Sequence, residues 1–284
     1  MTKLAVVGAT GLVGEKVLEV LDRKKVPFDE LVLFSSPRSA GKKIEFQGKT
    51  YTVEALTEEK TDGNFDYVIM SAGGGTSEKF APLFEQHGAI VIDNSSQWRM
   101  TNDVDLIVPE VNQPEFKRGI IANPNCSTIQ SVVPLKVLYD AFGLKRVAYT
   151  TYQAVSGSGV KGKRDLAEGA NGKAPEAYPH PIYNNVLPHI DVFLEDGYTK
   201  EEQKMIDETR KILGQPDLRV TATCARVPAQ DSHSVEIDVT LDKEATVQEI
   251  KDLFENDNRV VLVDNPENNE YPLAINSTGK DEVF

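Results

Sequence analysis

The chain has 284 residues, of which 40% are hydrophobic and 26% charged, a composition typical of a globular protein large enough for two domains. Its net charge of −13 would repel a phosphate backbone, which excludes nucleic acid as a partner. The only cysteines, Cys126 and Cys224, form no CxxC motif, which indicates a reducing compartment and predicts no metal site. No signal sequence or membrane-spanning apolar stretch is visible, so we expect a cytoplasmic protein without a membrane partner.

The first part of the chain alternates between predicted strands and helices. The expected elements are strand Leu4–Val7, helix Glu15–Arg23, strand Leu31–Phe34, a hairpin of Lys42–Phe46 and Tyr51–Glu54, strand Tyr67–Met70, helix Ser77–His87, and strands Ala89–Ile92 and Ile120–Ala122. Strands that alternate with helices form parallel sheets. We therefore predict an α/β, Rossmann-like doubly wound parallel sheet domain over residues 1–125.

The pattern changes after this point. The expected elements are a helix from about Ser127, strands Val147–Tyr152 and Ser234–Leu241, helices Lys200–Leu213 and Val247–Phe254, and strand-like apolar residues at Tyr271–Ile275. Residues Gly169–Asn185 are rich in Ala, Pro, Asn and Tyr and show no period, which predicts a long loop. We therefore predict a second, α+β domain over residues 126–284.

A glycine-rich turn lies between the first strand and the first helix. Its glycines recur every third residue, so the backbone can approach a pyrophosphate at the start of the helix. The alternative is a turn with a structural role only. The predicted cofactor contacts in this turn are Gly8, Thr10, Gly11, Leu12, Val13 and Gly14.

The end of the second strand distinguishes between the two nicotinamide dinucleotides. An NAD site carries an acidic residue there for the ribose hydroxyls, but the nearest acid, Glu30, lies at the wrong end of the strand. Ser36, Arg38 and Ser39 instead suit the additional charge of a 2′-phosphate. The alternative is that Arg38 is a solvated loop residue. The sequence therefore predicts NADP as the cofactor.

A second glycine-rich loop follows the strand Tyr67–Met70. Ligands of doubly wound sheets lie beyond the carboxyl ends of the strands, so Ser71, Ala72 and Gly73 are predicted cofactor contacts. A flexible loop without contact to the cofactor is the alternative for this segment.

Cys126 begins a predicted helix after a core strand, within Asn123-Pro124-Asn125-Cys126. Helix N-terminal amides favour an anion and therefore a thiolate. The same amides and Asn125 could stabilise an oxyanion on a carbonyl attacked by the sulfur. The alternative is an inert, buried cysteine, but a polar turn at a helix start favours a nucleophile.

A thiolate nucleophile requires a group that manages its proton, and histidine is the usual one. The chain offers His87, His180, His189 and His233. His87 ends a helix, where its charge would complement the dipole. His180 and His189 lie among prolines in the irregular stretch, whereas His233 lies in a loop between two predicted strands. His233 is the candidate, although the residues alone also allow a structural role.

Six segments occur in the order found in aspartate-semialdehyde dehydrogenases: GATGLVG, SSPRSAG, NPNCST, TTYQAVSG, ETRK and RVPAQDSHS. The match runs from Met1 to Phe284, and the chain resembles the bacterial members. The resemblance implies an NADP-dependent, phosphorylating dehydrogenase. It would interconvert L-aspartate 4-semialdehyde and 4-phospho-L-aspartate in the biosynthesis of lysine, threonine and methionine. It also implies a cytoplasmic homodimer that forms through the second domain, with the semialdehyde and phosphate as small-molecule substrates.

The resemblance also implies roles for individual residues. Cys126 resembles the nucleophile that forms a thioester, His233 the acid/base residue, and Gln153 the residue that orients the acyl-enzyme. Arg226 resembles the arginine that binds the substrate α-carboxylate as a bidentate pair, and Glu208 the residue that meets the amino group. The remaining implied contacts are Arg99 and Lys211 for phosphate, Asn125 for substrate, and Ser156 and Gly157 for the cofactor.

The chain departs from the resemblance at two places. Asp231 precedes the histidine where many members have glycine, and we expect this acid to raise the pKa of His233. Members also continue past Phe284 with a strand and a helix. We therefore expect this chain to retain NADP binding better than catalytic turnover of the substrate. The alternatives are a reductase of the N-acetyl-glutamyl phosphate type, which would lack the roles of Glu208 and Arg226, and a cofactor-binding protein with impaired catalysis.

Overall fold

The computed structural model describes all residues, 1–284. The chain divides into two compact units: one comprises Met1–Ile107 and Gln113–Pro124, and the other comprises Val108–Asn112 and Asn125–Phe284. The predicted domain boundary after residue 125 lies one residue from the point, after Pro124, at which the chain enters the second unit for the second and last time. None of the helices is long and apolar enough to cross a membrane.

The first unit is built on a seven-stranded parallel sheet. Its strands are β1 Lys3–Val7, β2 Glu30–Ser35, β5 Glu54–Ala55, β6 Tyr67–Met70, β7 Ile90–Asp93, β8 Asp105–Leu106 and β9 Ile120–Ala122. They lie in the order β5-β2-β1-β6-β7-β9-β8, and every pair is parallel. The helices are α1 Leu12–Arg23 and α2 Gly74–Gln86, and β3 Lys43–Phe46 and β4 Lys49–Thr52 form a separate two-stranded hairpin that packs against the core of this unit. The predicted doubly wound fold is confirmed.

The order of the strands brings three loops to one edge of this sheet. β1 lies between β2 and β6, and residues Leu4–Val7 of β1 are buried, as expected for an inner strand of a parallel sheet. Because neighbouring parallel strands end at the same edge, the loops after β1, β2 and β6 adjoin. These three loops and the first turn of α1 contain the predicted cofactor contacts of the first unit.

The second unit contains a three-stranded mixed sheet. Its strands are β10 Leu144–Gln153, β11 Arg219–Arg226 and β12 Ser234–Leu241, and its helices are α3 Cys126–Phe142, α4 Gly159–Gly169, α5 Lys200–Leu213, α6 Val247–Glu255 and α7 Ala274–Ser277. β10 is central, parallel to β11 and antiparallel to β12. The register places Gln153 opposite Arg226 and Tyr152 opposite Ser234. The ends of β10 and β11 therefore meet the start of β12 at one edge of the sheet.

Two helices of the second unit form its core together with this sheet. Leu135 and Leu138 of α3, Met205 of α5, and Tyr149 and Cys224 of the strands belong to one buried apolar cluster. This packing fixes the starts of α3 and α5, where polar side chains gather. The apolar run Tyr271–Ile275, expected to be strand-like, instead leads into the single helical turn of α7.

Candidate active site

The turn between β1 and α1 is held against the sheet by its backbone. The amides of Gly8 and Ala9 donate to the Phe34 carbonyl at 2.9 and 3.2 Å. A Cβ on Gly14 would lie 2.2 Å from the Gly8 carbonyl oxygen, and Gly8 has φ +87°. No side chain caps α1 at its N-cap, Gly11. The turn thus fits a dinucleotide, because a close backbone approach and uncapped helix amides are what a pyrophosphate requires.

The loops after β2 and β6 adjoin this turn. Ser35 Oγ lies 2.8 Å from Thr10 Oγ1, and the Ser71 backbone lies where a Cβ on Gly8 would contact it. Arg38 is exposed and forms no ion pair, while Ser39 is buried. Residues 35–39 contain no carboxylate. This edge therefore combines hydroxyls and one unpaired cation, as the sequence predicts for a 2′-phosphate. Ser36, Ala72 and Gly73 lie in the loops after β2 and β6, whereas Leu12 and Val13 are the first residues of α1, directly after the turn.

Arg99 is buried in the first unit, and hydrogen bonds to backbone carbonyl oxygens hold its guanidinium in place. Its Nε donates to the Asn123 carbonyl at 2.9 Å and its Nη2 to the Asn94 carbonyl at 3.0 Å. These bonds fix the direction of the guanidinium. The phosphate-binding role of Arg99 remains a prediction.

Cys126 is the first residue of α3 and is exposed. Asn125 caps the helix, because its Oδ1 accepts from the amides of Ser127 and Thr128 at 2.9 and 3.2 Å. The Cys126 Sγ lies 3.3 Å from His233 Nε2. The structure thus brings the predicted nucleophile and the predicted histidine into direct contact.

His233 is held neutral by its surroundings. Burial and the nearby Arg226 guanidinium lower its pKa to about 4, against a smaller opposing effect of Glu201. The expectation that Asp231 raises this pKa is wrong. The Asp231 carboxylate instead lies 2.7 Å from Lys163 Nζ, which lowers the pKa of Asp231 itself although burial opposes this. Desolvation of the ring outweighs a carboxylate that already has its own cation.

A buried carboxylate of α5 connects the polar residues of this site. Glu201 Oε1 accepts from Asn125 Nδ2 at 2.8 Å and from Gln153 Nε2 at 3.2 Å. Its Oε2 lies 3.2 Å from Lys204 Nζ, which also lies 2.7 Å from Asp191 Oδ2. Neither Glu201 nor Lys204 is among the residues singled out from the sequence. Glu201 is the hydrogen-bonded centre of the site.

The two residues of α5 that were singled out from the sequence lie two turns further along the helix. Glu208 is fully buried, and its Oε2 accepts from the Asn125 amide at 2.6 Å. Lys211 lies one turn beyond Glu208 and is half-buried. Glu208 therefore supports the residue that precedes the nucleophile. The substrate-binding roles assigned to Glu208 and Lys211 remain predictions.

Arg226 is a buried cation without a carboxylate partner. Its Nη1 donates to the Ala154 carbonyl at 2.8 Å, while its Nε has no hydrogen-bond partner. A buried guanidinium with an unused donor is costly unless an anion binds it. Gly157 makes room for this side chain, since a Cβ there would lie 2.8 Å from Nη1. The geometry therefore suits the predicted carboxylate site.

Gly157 and Ser156 are predicted cofactor contacts of the second unit. The Ser156 amide donates to the Gln230 carbonyl at 3.1 Å, and Gly157 lies beside Arg226 and His233. This turn therefore shapes the space around the Arg226 and His233 side chains. Its contact with a cofactor remains a prediction.

Comparisons with known proteins agree with this geometry. The semialdehyde dehydrogenase NAD-binding domain family matches residues 3–118, and the semialdehyde dehydrogenase dimerisation domain family matches residues 135–284. The aspartate-semialdehyde dehydrogenase of Aquifex aeolicus is 51% identical over 99% of this chain and 86% of its own length. The enzyme of Bacillus subtilis is 43% identical over the same shares.

Solved structures give the same result. Aspartate semialdehyde dehydrogenase II from Vibrio cholerae, complexed with ASA, has a TM-score of 0.93 and 41% identity, covering 99% of this chain and 86% of that one. The Candida albicans enzyme with NADP has a TM-score of 0.70 and 27% identity, covering 90% and 76%. The fold, the cysteine–histidine site and these relatives together show that the chain belongs to the aspartate-semialdehyde dehydrogenase family of oxidoreductases.

Proposed function

We propose that the chain catalyses the reversible, phosphorylating oxidation of L-aspartate 4-semialdehyde to 4-phospho-L-aspartate, with NADP as its cofactor. The observation that carries the proposal is the contact of 3.3 Å between Cys126 Sγ and His233 Nε2 beside a buried, unpaired arginine. A sulfur nucleophile suits an aldehyde, and the arginine suits the carboxylate of an amino acid. The names of the relatives support the choice of substrate, and the structure named as an ASA complex supports binding of the semialdehyde.

The amino acid part of the substrate is recognised by charge. Arg226 binds the α-carboxylate through its unused donor, and a buried carboxylate of α5 binds the amino group. We assign the latter role to Glu201 in preference to Glu208, because Glu201 shares hydrogen bonds with the Gln153 amide. Glu208 Oε2 is already engaged by the Asn125 backbone. Lys204, beside Glu201, is the cation we assign to phosphate within the second unit.

The reaction divides into two steps on Cys126. The thiolate adds to the aldehyde carbon, and the carbonyl electron pair moves to the oxygen. A dinucleotide held by the glycine-rich turn after β1 would supply the hydride acceptor, and loss of hydride from this carbon leaves a thioester on the Cys126 sulfur. A phosphate oxygen then adds to the acyl carbon, and the thiolate leaves with its electron pair. Gln153 orients the acyl group during both steps.

A coupled assay tests the proposal. Purified protein mixed with L-aspartate semialdehyde, NADP+ and phosphate should form NADPH, and omission of phosphate should suppress sustained turnover. Cys126→Ala should abolish activity while NADP still binds. Turnover of N-acetyl-glutamate semialdehyde instead would show a different specificity, and NADP binding without turnover of either aldehyde would contradict the enzymatic proposal.

We also propose that the second unit forms a homodimer. The matching dimerisation family supports this, as do exposed apolar side chains on one irregular segment. These are Tyr183, Val186, Val192 and Phe193, with exposed fractions of 48–62%. Sedimentation should give about twice the chain mass of 31.3 kDa. A concentration-independent monomer would contradict the proposal.

A further inference from the structure

The two ring nitrogens of His233 have different neighbours. Nδ1 accepts a hydrogen bond from the Ala154 backbone amide at 3.0 Å. Nε2 faces the Cys126 sulfur at 3.3 Å. A backbone amide is an obligatory donor, so the nitrogen that accepts from it carries no proton.

This contact fixes the tautomer of the ring. A neutral imidazole carries one proton, and with Nδ1 as an acceptor that proton is on Nε2. A doubly protonated ring would direct an Nδ1–H at the Ala154 N–H, which is repulsive. The ring therefore presents a donor to the sulfur and has no lone pair with which to take the thiol proton.

We propose that His233 acts in the resting enzyme as a fixed Nε2–H donor to the Cys126 thiolate, held in this tautomer by the Ala154 amide, and does not form an imidazolium–thiolate pair. The proposal deepens the proposed function by assigning the role of its histidine. Ala154 is a positioning residue, because its amide acts on the sulfur only through the ring.

The charges around the ring favour the neutral form. Burial and, to a smaller extent, Arg226 of β11 lower the pKa of His233 to about 4, and Glu201 of α5 opposes them only in part. Asp231, two residues before His233, forms an ion pair with Lys163 of α4. The carboxylates that line the same cavity as His233, which has a volume of about 670 Å³, are Glu110, Glu236, Asp281 and Glu282.

The Cys126 thiol can ionise without any change in the protonation of the His233 ring. The S–H bond of Cys126 breaks, its electron pair stays on sulfur, and the proton passes to solvent water, which reaches the exposed side chain. The Nε2–H bond stays intact and stabilises the new anion by a charge-assisted hydrogen bond. When the sulfur pair later forms the bond to the substrate carbon, the same N–H becomes available to the oxyanion.

Nitrogen NMR of protein labelled with 15N-histidine measures the tautomer directly. Long-range proton–nitrogen spectra at pH 7 should show the His233 signal with protonated Nε2 and unprotonated Nδ1. Comparison with His233→Gln assigns this signal among the four histidines. An Nδ1–H tautomer, or a doubly protonated ring at pH 7, would overturn the proposal. The measurement uses no substrate, so it is independent of the turnover assay.

Alkylation of Cys126 by iodoacetamide as a function of pH provides the second test. Glutamine presents its Nε2 donor much as histidine does but cannot become a cation, whereas His233→Leu removes the donor. We expect His233→Gln to alkylate within about threefold of the native rate at pH 7. His233→Leu should be slower by about tenfold or more, the factor expected for one charge-assisted hydrogen bond.

An imidazolium–thiolate pair gives a different result. Both variants would then lose the rate at pH 7 equally, and the native rate profile would show a second ionisation where the imidazolium loses its proton. A single ionisation with retention of the rate in His233→Gln supports the donor role. Cys224 is fully buried, so the measured rate reports Cys126.

Discussion

Arg226 shows how one side chain can serve two purposes at the residue scale. Its Nη1 donates to the Ala154 carbonyl, which fixes the guanidinium, while its Nε has no partner and is the donor that we assign to the substrate. Its positive charge also lowers the pKa of His233. The group that we assign to the substrate carboxylate therefore also helps to keep the neighbouring histidine neutral.

The choice between Glu201 and Glu208 is testable at the same scale. Glu201→Gln keeps the size of the side chain but removes the negative charge that we assign to the substrate ammonium. It should raise the semialdehyde KM by about tenfold or more, because this is the loss of affinity expected when a hydrogen bond between charged groups is removed. Glu208→Gln, the matched control, should chiefly lower the melting temperature, because it weakens a buried bond to the Asn125 amide. The reverse pattern in KM would return the role to Glu208.

We expect the preference for NADP over NAD to depend on Arg38. Arg38→Ala should weaken NADP binding by about tenfold or more, because a charge-assisted bond to the 2′-phosphate contributes roughly 1.5–3 kcal/mol. NAD binding should hardly change. Lys49→Ala removes another exposed cation, in the hairpin strand β4, and serves as the control in titrations monitored by fluorescence. Equal losses for NADP and NAD would contradict recognition of the 2′-phosphate.

At the scale of elements, the sequence predicts the strongly patterned segments well. The bounds of α5, β6, β9 and β12 match the prediction, and α5 also has a capping box of Thr199 and Glu202. Helix α4 was missed, because its glycines weaken the helical pattern. Gly162 is required there by close packing, since a Cβ would lie 2.5 Å from the Val155 carbonyl oxygen. No local pattern contains that tertiary contact.

The central carboxylate of the site was missed for a related reason. Helix α5 carries the pattern Glu-x-x-Lys twice, as Glu201 with Lys204 and as Glu208 with Lys211. Residues seven apart lie on the same helix face, so both pairs satisfy the same amphipathic pattern. Only the contacts of Glu201 with Asn125 and Gln153 distinguish the two. Cys126 and His233 could be singled out as candidates from the residues, and Arg226 from the resemblance, because each occurs in a distinctive motif.

The start of α3 offers a prediction at the scale of a helix. Asn125→Ala removes the cap and should lower the free energy of unfolding by about 1 kcal/mol, the usual value of an N-cap. Asn125→Asp keeps an acceptor for the Ser127 and Thr128 amides but loses the donor to Glu201 and places a second carboxylate beside it. It should retain more stability than Asn125→Ala yet lose activity. Denaturant unfolding and turnover measure the two effects, and equal stability of both variants would contradict the capping role.

Stability of the whole molecule should depend on the protonation of His233. The unfolded chain binds a proton near pH 6.5, whereas the folded chain holds this ring neutral down to about pH 4. Between these values the unfolded state binds more protons than the folded state. The free energy of unfolding is therefore not reduced by this residue above pH 6.5, and it falls as the pH is lowered from 6.5 toward 4. The slope from this residue is at most about 1.4 kcal/mol per pH unit.

Thermal unfolding of the native protein and of His233→Gln between pH 4 and 7 measures this contribution. The native melting temperature should fall more steeply than that of the variant, in which residue 233 does not titrate. Carboxylates contribute equally to both proteins, so the difference isolates the histidine. Parallel curves would contradict the lowered pKa.

Because one cysteine is exposed and the other is buried, the reaction rate of the buried thiol can measure how often the second unit opens locally. Cys224 is fully buried in β11, and burial raises the pKa of its thiol to about 12, so it does not react while the second unit stays closed. A disulfide reagent should therefore consume one equivalent at once and the second only as fast as β11 becomes exposed. When opening and closing are fast, the ratio of the slow rate to that of an unfolded thiol equals the opening equilibrium constant. The core beneath the active site thus reports its local stability in water, without denaturant and without an added label.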